Sequence, residues 1–286
     1  MIDRPVLLAI VAVLLNAGAG YGAWHRESVT AGGGVTGAVV GAVILFAGGF
    51  TYWIMLMLFF VSSSLASRLG SRRKERLERM HEKGSRRDAV QVMANGGAAA
   101  AAVIALRITG APVFALAAAG AFASVNADTW ASELGVLARR PPRSIVTWRQ
   151  LEPGTSGGVS LPGTVAAAAG SLLIAVWFAL TVGFAGEPVD GAGAASLGRT
   201  AIGPAAALLV VWLAGFVGTT TDSVLGATVQ ALYRDEGGAI TERRRGPAGF
   251  NERVRGIPFV TNDVVNAVSS IVAAVAAGYG GSVLGA

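Results

Sequence analysis

Stretches of mainly apolar residues follow one another along this chain, near 5–23, 31–48, 50–67, 88–106, 111–137, 161–184, 201–231 and 262–285. A helix needs about 20 such residues to cross a bilayer, and lipid offers no partner to an open backbone amide. The recurrence therefore predicts an all-α, polytopic transmembrane helix bundle of about eight spans in a single domain, 1–286. Residues 29–61 are one apolar run, and Ala-Gly-Gly-Phe at 47–50 is expected to break it into a hairpin, because one helix of that length would overshoot the membrane. The first run is expected to be a retained helix, since Asn16 and Tyr21 interrupt its end and no clear small-residue cleavage site follows. Only 14% of residues are charged, against about 25% in soluble domains. Without cysteine, neither disulfides nor thiolate metal sites are available.

Basic residues choose a side. Of 23 Lys and Arg, 20 fall in the connections after spans one, three, five and seven; only Arg4, Arg107 and Arg199 fall elsewhere. By the positive-inside rule both termini lie outside, and the loops 68–87, 138–160 and 232–260 are cytoplasmic. These basic loops read as topology signals that also attract anionic lipid headgroups, so membrane lipids rather than nucleic acid are the partners of this charge. Within the first loop, Glu75 pairs with Arg79 at helical spacing, and a short solvated helix is expected over 71–83.

Polar residues gather at the same ends of four spans. Asp88, Gln91 and Asn95 form one stripe, Thr219, Asp222 and Gly226 a second, and Asn262, Asp263 and Asn266 a third. The fifth span ends in Asn126, Asp128, Ser132 and Glu133. There Asp128 and Glu133 differ by about 140° on an ideal helix, so either two faces are lined or the helix distorts. Asp88 has a structural reading as well, as a group hydrogen-bonded between helices. Four carboxylates, Asp128, Glu133, Asp222 and Asp263, repel one another when gathered, so their convergence implies Mg²⁺, another cation or bound protons.

The loop 138–160 ends in Gly154, Thr155, Ser156, Gly157, Gly158 and Ser160, just ahead of an apolar helix. Amides, hydroxyls and a helix N-terminus together suit a phosphate. No Walker A sequence is present. Alone the segment reads as a connecting turn; joined to Arg149 and to carboxylates able to hold Mg²⁺, it is a phosphate-loop candidate.

The blocks NGG at 95–97, NADTWASELG at 126–135, EPGTSGGVSLPGT at 152–164, TDSVLGATVQ at 221–230 and TNDVVNAVSS at 261–270 resemble the family of the plant phytyl-phosphate kinase and animal transmembrane protein 19. That resemblance implies phosphorylation of an isoprenyl monophosphate to its diphosphate by a nucleoside triphosphate. A more distant similarity to phytol and dolichol kinases and to CTP-using cytidylyltransferases favours CTP. Combined with the residue reading, it implies that Asp128, Asp222, Asp263 and Glu133 form the catalytic, Mg²⁺-binding set. Asn95, Asn126, Ser132, Asn262 and Asn266 would orient phosphates or metal-bound water, and Arg149, Glu152, Gly154, Thr155, Ser156, Gly157, Gly158 and Ser160 would hold the triphosphate. His25 and His81 lie in loops away from these motifs, and an already ionised lipid phosphate needs no strong base. Two other functions use the same residues: CTP-dependent nucleotidyl transfer to a lipid phosphate, and cation-coupled transport. The expected location is the cell or inner membrane, with the active site facing the cytoplasm; an oligomer is compatible with this.

Overall fold

The computed structural model describes residues 4–69, 86–183, 202–247 and 249–285. The helix expected over 71–83, His81 and Arg199 lie outside the described residues. Those described form seven helices: α1 (Arg4–His25), α2 (Ala31–Arg68), α3 (Ala89–Thr109), α4 (Val113–Gly135), α5 (Leu161–Gly183), α6 (Pro204–Thr228) and α7 (Asn262–Val283). All but α4 are long and apolar enough to cross a membrane. The all-α membrane bundle read from the sequence is the observed architecture.

The 38 residues of α2 would span about 57 Å as one rod, against a hydrocarbon core of about 30 Å. Its backbone leaves the helical region at Gly49 (φ 71°, ψ −169°), a conformation open to glycine. Asn16 of α1 then touches both halves. Its Oδ1 accepts from Trp53 Nε1 at 3.0 Å, and a Cβ on Gly41 would overlap its amide. Residues 41 and 53 would be about 18 Å apart on a straight helix, so the chain doubles back at Gly49, inside the 47–50 break expected from sequence.

The exception among the helices explains the bundle. Every residue of α4 from Ala115 to Ala127 is buried, whereas a helix facing lipid on one side alternates with a 3.6-residue period. It is wrapped by α2, α3, α5, α6 and α7, while α1 packs on α2 at the periphery. Close wrapping requires small residues on both partners. A Cβ on Gly120 of α4 would strike Ala277 and the Ala273 carbonyl of α7, and one on Gly218 of α6 would strike Ser124 of α4. With alanine where lipid-facing helices carry leucine, α4 has the lower apolarity of a pillar that meets protein all round.

Contacts between helix ends sort the connections onto two sides. At one, Thr30 N donates to Arg87 O (2.9 Å), Ser67 Oγ to Glu133 Oε1 (2.6 Å) and Arg255 Nη2 to Gly226 O (2.7 Å). At the other, Val113 meets Gly278 and Gly183 meets Pro204. The first side carries all the short strands. Strand β1 (Arg143–Ser144) pairs antiparallel with β2 (Gly158–Val159). Beyond α6, β3 (Leu232–Arg234) lies between β4 (Ile240–Thr241) and β7 (Glu252–Arg255), and β5 (Arg245–Gly246) pairs with β6 (Gly249–Phe250). These loops, read from sequence only as basic, are ordered because Leu232, Tyr233 and Thr241 turn inward and are buried.

The expected eight crossings and their orientation are testable in this cysteine-free chain. Cysteine at exposed Thr147 or Ala239, on the strand-bearing side, should be protected from an impermeant thiol reagent outside intact cells, and cysteine at exposed Thr109 should react. Reaction at Thr147 and Thr109 alike would refute the arrangement.

Candidate functional site

The wrapping of α4 ends at Asp128. From Ala115 to Ala127 the helix is sealed; from Asp128 to Trp130 it is half-buried, so the complete wrapping ends where the carboxylate begins. Asp128 Oδ1 accepts from Thr219 Oγ1 of α6 at 3.3 Å. One turn beyond Thr219, Asp222 Oδ2 accepts from Ser269 Oγ of α7 at 3.2 Å, and that hydroxyl also reaches Asn266 O at 3.0 Å. The two carboxylates are near enough for their charges to act on each other. Among the described residues, no Lys, Arg or His pairs with either. Paired anions with only hydroxyl partners in a low-dielectric setting require a cation or a shared proton.

Two loops meet at the C-terminal end of α6, beyond Asp222. Ser156 donates a short hydrogen bond to Glu242 Oε1, and Gln230 Nε2 donates to Glu242 Oε1 at 2.8 Å and to Ser156 Oγ at 3.0 Å. Gln230 is 1% exposed, and the Glu242 charge reaches Asp222. Gly157 (φ 81°) lies flat on α6, where any Cβ would overlap the Ala227 backbone. Arg255 caps the end of α6 through Gly226 O; a cation is favoured at a helix C-terminus. Partial burial lowers the pKa of that guanidinium.

The phosphate-loop residues are thereby placed on α6, one turn past Asp222. Several are committed within the loop: Thr155 N donates to Glu152 O and Gly158 N to Thr155 O, both at 3.1 Å. Gly154 carries φ 90°. Ser160 Oγ receives Gly163 N at 3.3 Å at the start of α5. Arg149 is exposed, and its carbonyl receives Ser144 N at 2.9 Å.

Of the four carboxylates, Asp128 and Asp222 are brought toward each other through Thr219 on α6, while Glu133 turns to another face of α4. Because α4 runs as one helix to Gly135, the angle between Asp128 and Glu133 persists and Glu133 faces Ser67 and Arg87. Burial lowers the Arg87 pKa, and the Glu133 charge opposes that shift. Asp263 lies in the first turn of α7 behind the Thr261 cap, with Asn262 beside it. Among the described residues no three acidic or histidine side chains are grouped closely enough to hold a metal ion. Asn126, wholly buried, accepts from Ser62 Oγ (3.0 Å) and donates to Gly170 O (2.8 Å), tying α2, α4 and α5 together. Asn95 is half-buried on α3, and Ser132 is exposed. Asp88 is the N-cap of α3, in a capping box with Gln91.

Sequence reasoning missed Glu242, Ser269 and Gln230 as partners. Gln230 does close the TDSVLGATVQ block, two turns past Asp222, which is a usable signal. Glu242 stands next to three arginines and gives none.

Over residues 14–274 the chain matches the family described as integral membrane protein DUF92. It belongs to that family. Among DUF92 relatives, Protein PGR of Arabidopsis thaliana is 34% identical over 192 residues, covering 62% of this chain and 66% of that protein. An uncharacterized membrane protein of Methanocaldococcus jannaschii is 34% identical over 52% of this chain and 62% of its own, and one of Synechocystis is 31% identical over 48% and 55%. The chain thus spans between about half and two thirds of these relatives' length. No solved structure matches it. Membership in DUF92, with Protein PGR among the relatives, bears out the family resemblance carried by the motifs.

The separation of Asn126 from Asp128 predicts opposite phenotypes. Asn126→Ala removes the side-chain bonds that tie α4 to Ser62 and to Gly170 O and should cost about 1–3 kcal/mol, read as a lower Tm in detergent. An unchanged Tm with lost ligand binding would place Asn126 in the binding site instead.

Proposed function

We propose that this DUF92 protein is a membrane-embedded isoprenoid-monophosphate kinase. It transfers the terminal phosphoryl group of a nucleoside triphosphate, CTP being favoured by the motif resemblance, to phytyl, geranylgeranyl or another polyprenyl monophosphate. The observation that carries this reading is the Asp128–Asp222 pair. It is set toward the strand-bearing end of the bundle and holds only hydroxyl partners, and a glycine- and hydroxyl-rich loop is seated on the same helix one turn beyond Asp222.

Two carboxylate side chains fit Mg²⁺, which characteristically keeps several waters and takes one or two carboxylates plus substrate phosphates rather than a full protein cage. When bound there, the ion would neutralise the β- and γ-phosphate oxygens. Thr219 and Ser269 fix the carboxylate orientations, and the loop seated on Ala227 is held at the end of the same helix. A lipid phosphate oxygen forms the new bond to the γ-phosphorus as the β–γ anhydride bond breaks, releasing the nucleoside diphosphate. No proton needs to move, consistent with a site holding no histidine among its described members. Such transfer depends mainly on positioning and charge stabilisation.

The sealed stretch Ala115–Ala127 weighs against a transport path along α4, since no position in it is open and its two polar residues, Ser124 and Asn126, are fully buried. In this reading the strand-bearing end faces the cytoplasm.

The test is transfer from γ-labelled CTP to isoprenyl monophosphates by purified protein in Mg²⁺. The label should appear in the lipid diphosphate, with CDP as coproduct, and Asp128→Asn and Asp222→Asn should each lose about 10²–10³-fold in turnover while keeping the wild-type Tm or exceeding it. Pyrophosphate as coproduct would establish nucleotidyl transfer; near-normal turnover in both variants would remove the carboxylates from the chemistry.

A further inference from the structure

The segment after Glu242 carries charge that the proposed transfer has not used. Arg244 and Arg245 converge on one ring: their guanidinium carbons lie 5.5 and 4.4 Å from the centroid of Phe250. Arg245 and Phe250 are cross-strand partners in the β5–β6 hairpin, so they share a face. Asn251 locks the base of that hairpin, donating from Nδ2 to Arg243 O at 2.8 Å and from its backbone to Arg244 O at 3.0 Å. Among the described residues neither Arg244 nor Arg245 meets a carboxylate, in contrast to Arg234, which pairs with Glu252 at 3.5 Å. Two guanidiniums are thus held in place by an aromatic ring and left with their donors available.

Their position is bounded by the loop that carries them. Glu242, clasped by Ser156 and Gln230, is held at the end of the helix that carries Asp222, two turns beyond it. At most about 3.6 Å of chain separates successive residues, so Arg244 and Arg245 begin within about 7 and 11 Å of Glu242. Carboxylates on one side and preorganised arginines on the other make the charge pattern that a polyphosphate chain with a divalent cation complements.

We propose that the β5–β6 hairpin is a polyphosphate clamp in which Arg244 and Arg245, ordered by Phe250, bind the phosphate chain of the nucleotide. This rests on the kinase reading for its ligand but not for its test. Anionic lipid headgroups share the phosphate chemistry, and the experiment separates the two sources.

Binding of inorganic tripolyphosphate and of CTP to the full chain is measured by calorimetry in nanodiscs of phosphatidylcholine alone. Arg244→Gln/Arg245→Gln should weaken both at least about tenfold, a loss of about 1.4 kcal/mol, with a shallower salt dependence. Phe250→Leu, which keeps both charges, should weaken them by a smaller factor. Arg26→Gln/Arg68→Gln, which removes two exposed arginines from the ends of α1 and α2, should leave binding unchanged. Equal losses in this control would mean diffuse charge and overturn the clamp. So would wild-type affinity in the hairpin double variant, including the case where that variant loses only its binding to phosphatidylglycerol vesicles measured in parallel. Polyphosphate bound through the hairpin without transfer to any isoprenyl monophosphate would sink the kinase reading and keep the clamp. Transfer with an unchanged nucleotide KM in the hairpin variant would do the reverse.

Discussion

A helix surrounded by five others has no room for large side chains, and that restriction on α4 organises the molecule. Its alanines, with Gly120 and Ser124, let α6 and α7 approach to backbone contact, and Gly218 and Ala273 answer them from the other side. Close packing in membranes draws on dispersion and complementary shape rather than on hydrophobic exclusion. The bundle consequently closes tightly along most of α4 and opens only where the helix passes its neighbours' grip. Asp128 is the first residue past that point.

Placement then supplies the electrostatics. Asp128 comes from the pillar and Asp222 from α6, and the hydroxyls that orient them come from α6 and α7. Charge is held at the end of the bundle, where water and ligands can reach it, instead of at mid-membrane, where burying an unpaired carboxylate is far costlier. The loops above are seated by shape and by a polar clasp: Gly157 on Ala227, and Glu242 between Ser156 and Gln230. A loop fixed to α6 moves with Asp222, so the phosphate-loop candidate and the carboxylate keep their spacing.

Most of the fold was legible because membrane helices write themselves as length and apolarity. The Gly48–Gly49 pair marked the turn in α2, whereas Asp88, read as part of a polar stripe or as a group bonded between helices, is an N-cap instead. The central place of α4 was less legible, since alanine-rich and leucine-rich runs both read as spans and only three-dimensional packing distinguishes a pillar from a lipid-facing helix. Within the site, Asp128 and Asp222 were found because carboxylates in apolar runs are conspicuous. Glu133 was drawn into the same group by proximity in sequence, although helical geometry turns it toward Arg87. Glu242 could not be read, because in a stretch dominated by arginines a single carboxylate looks like local charge balance, and only the tertiary clasp gives it a role.

The central claim is that Asp128 and Asp222 jointly hold a divalent cation together with a nucleotide. Electron paramagnetic resonance of Mn²⁺ added to purified protein with a non-hydrolysable CTP analogue measures this without turnover. The account predicts Mn²⁺ bound only when the nucleotide is present, and lost in both Asp128→Asn and Asp222→Asn but retained in Glu133→Gln. Equal Mn²⁺ binding in wild type and in the two aspartate variants would contradict it.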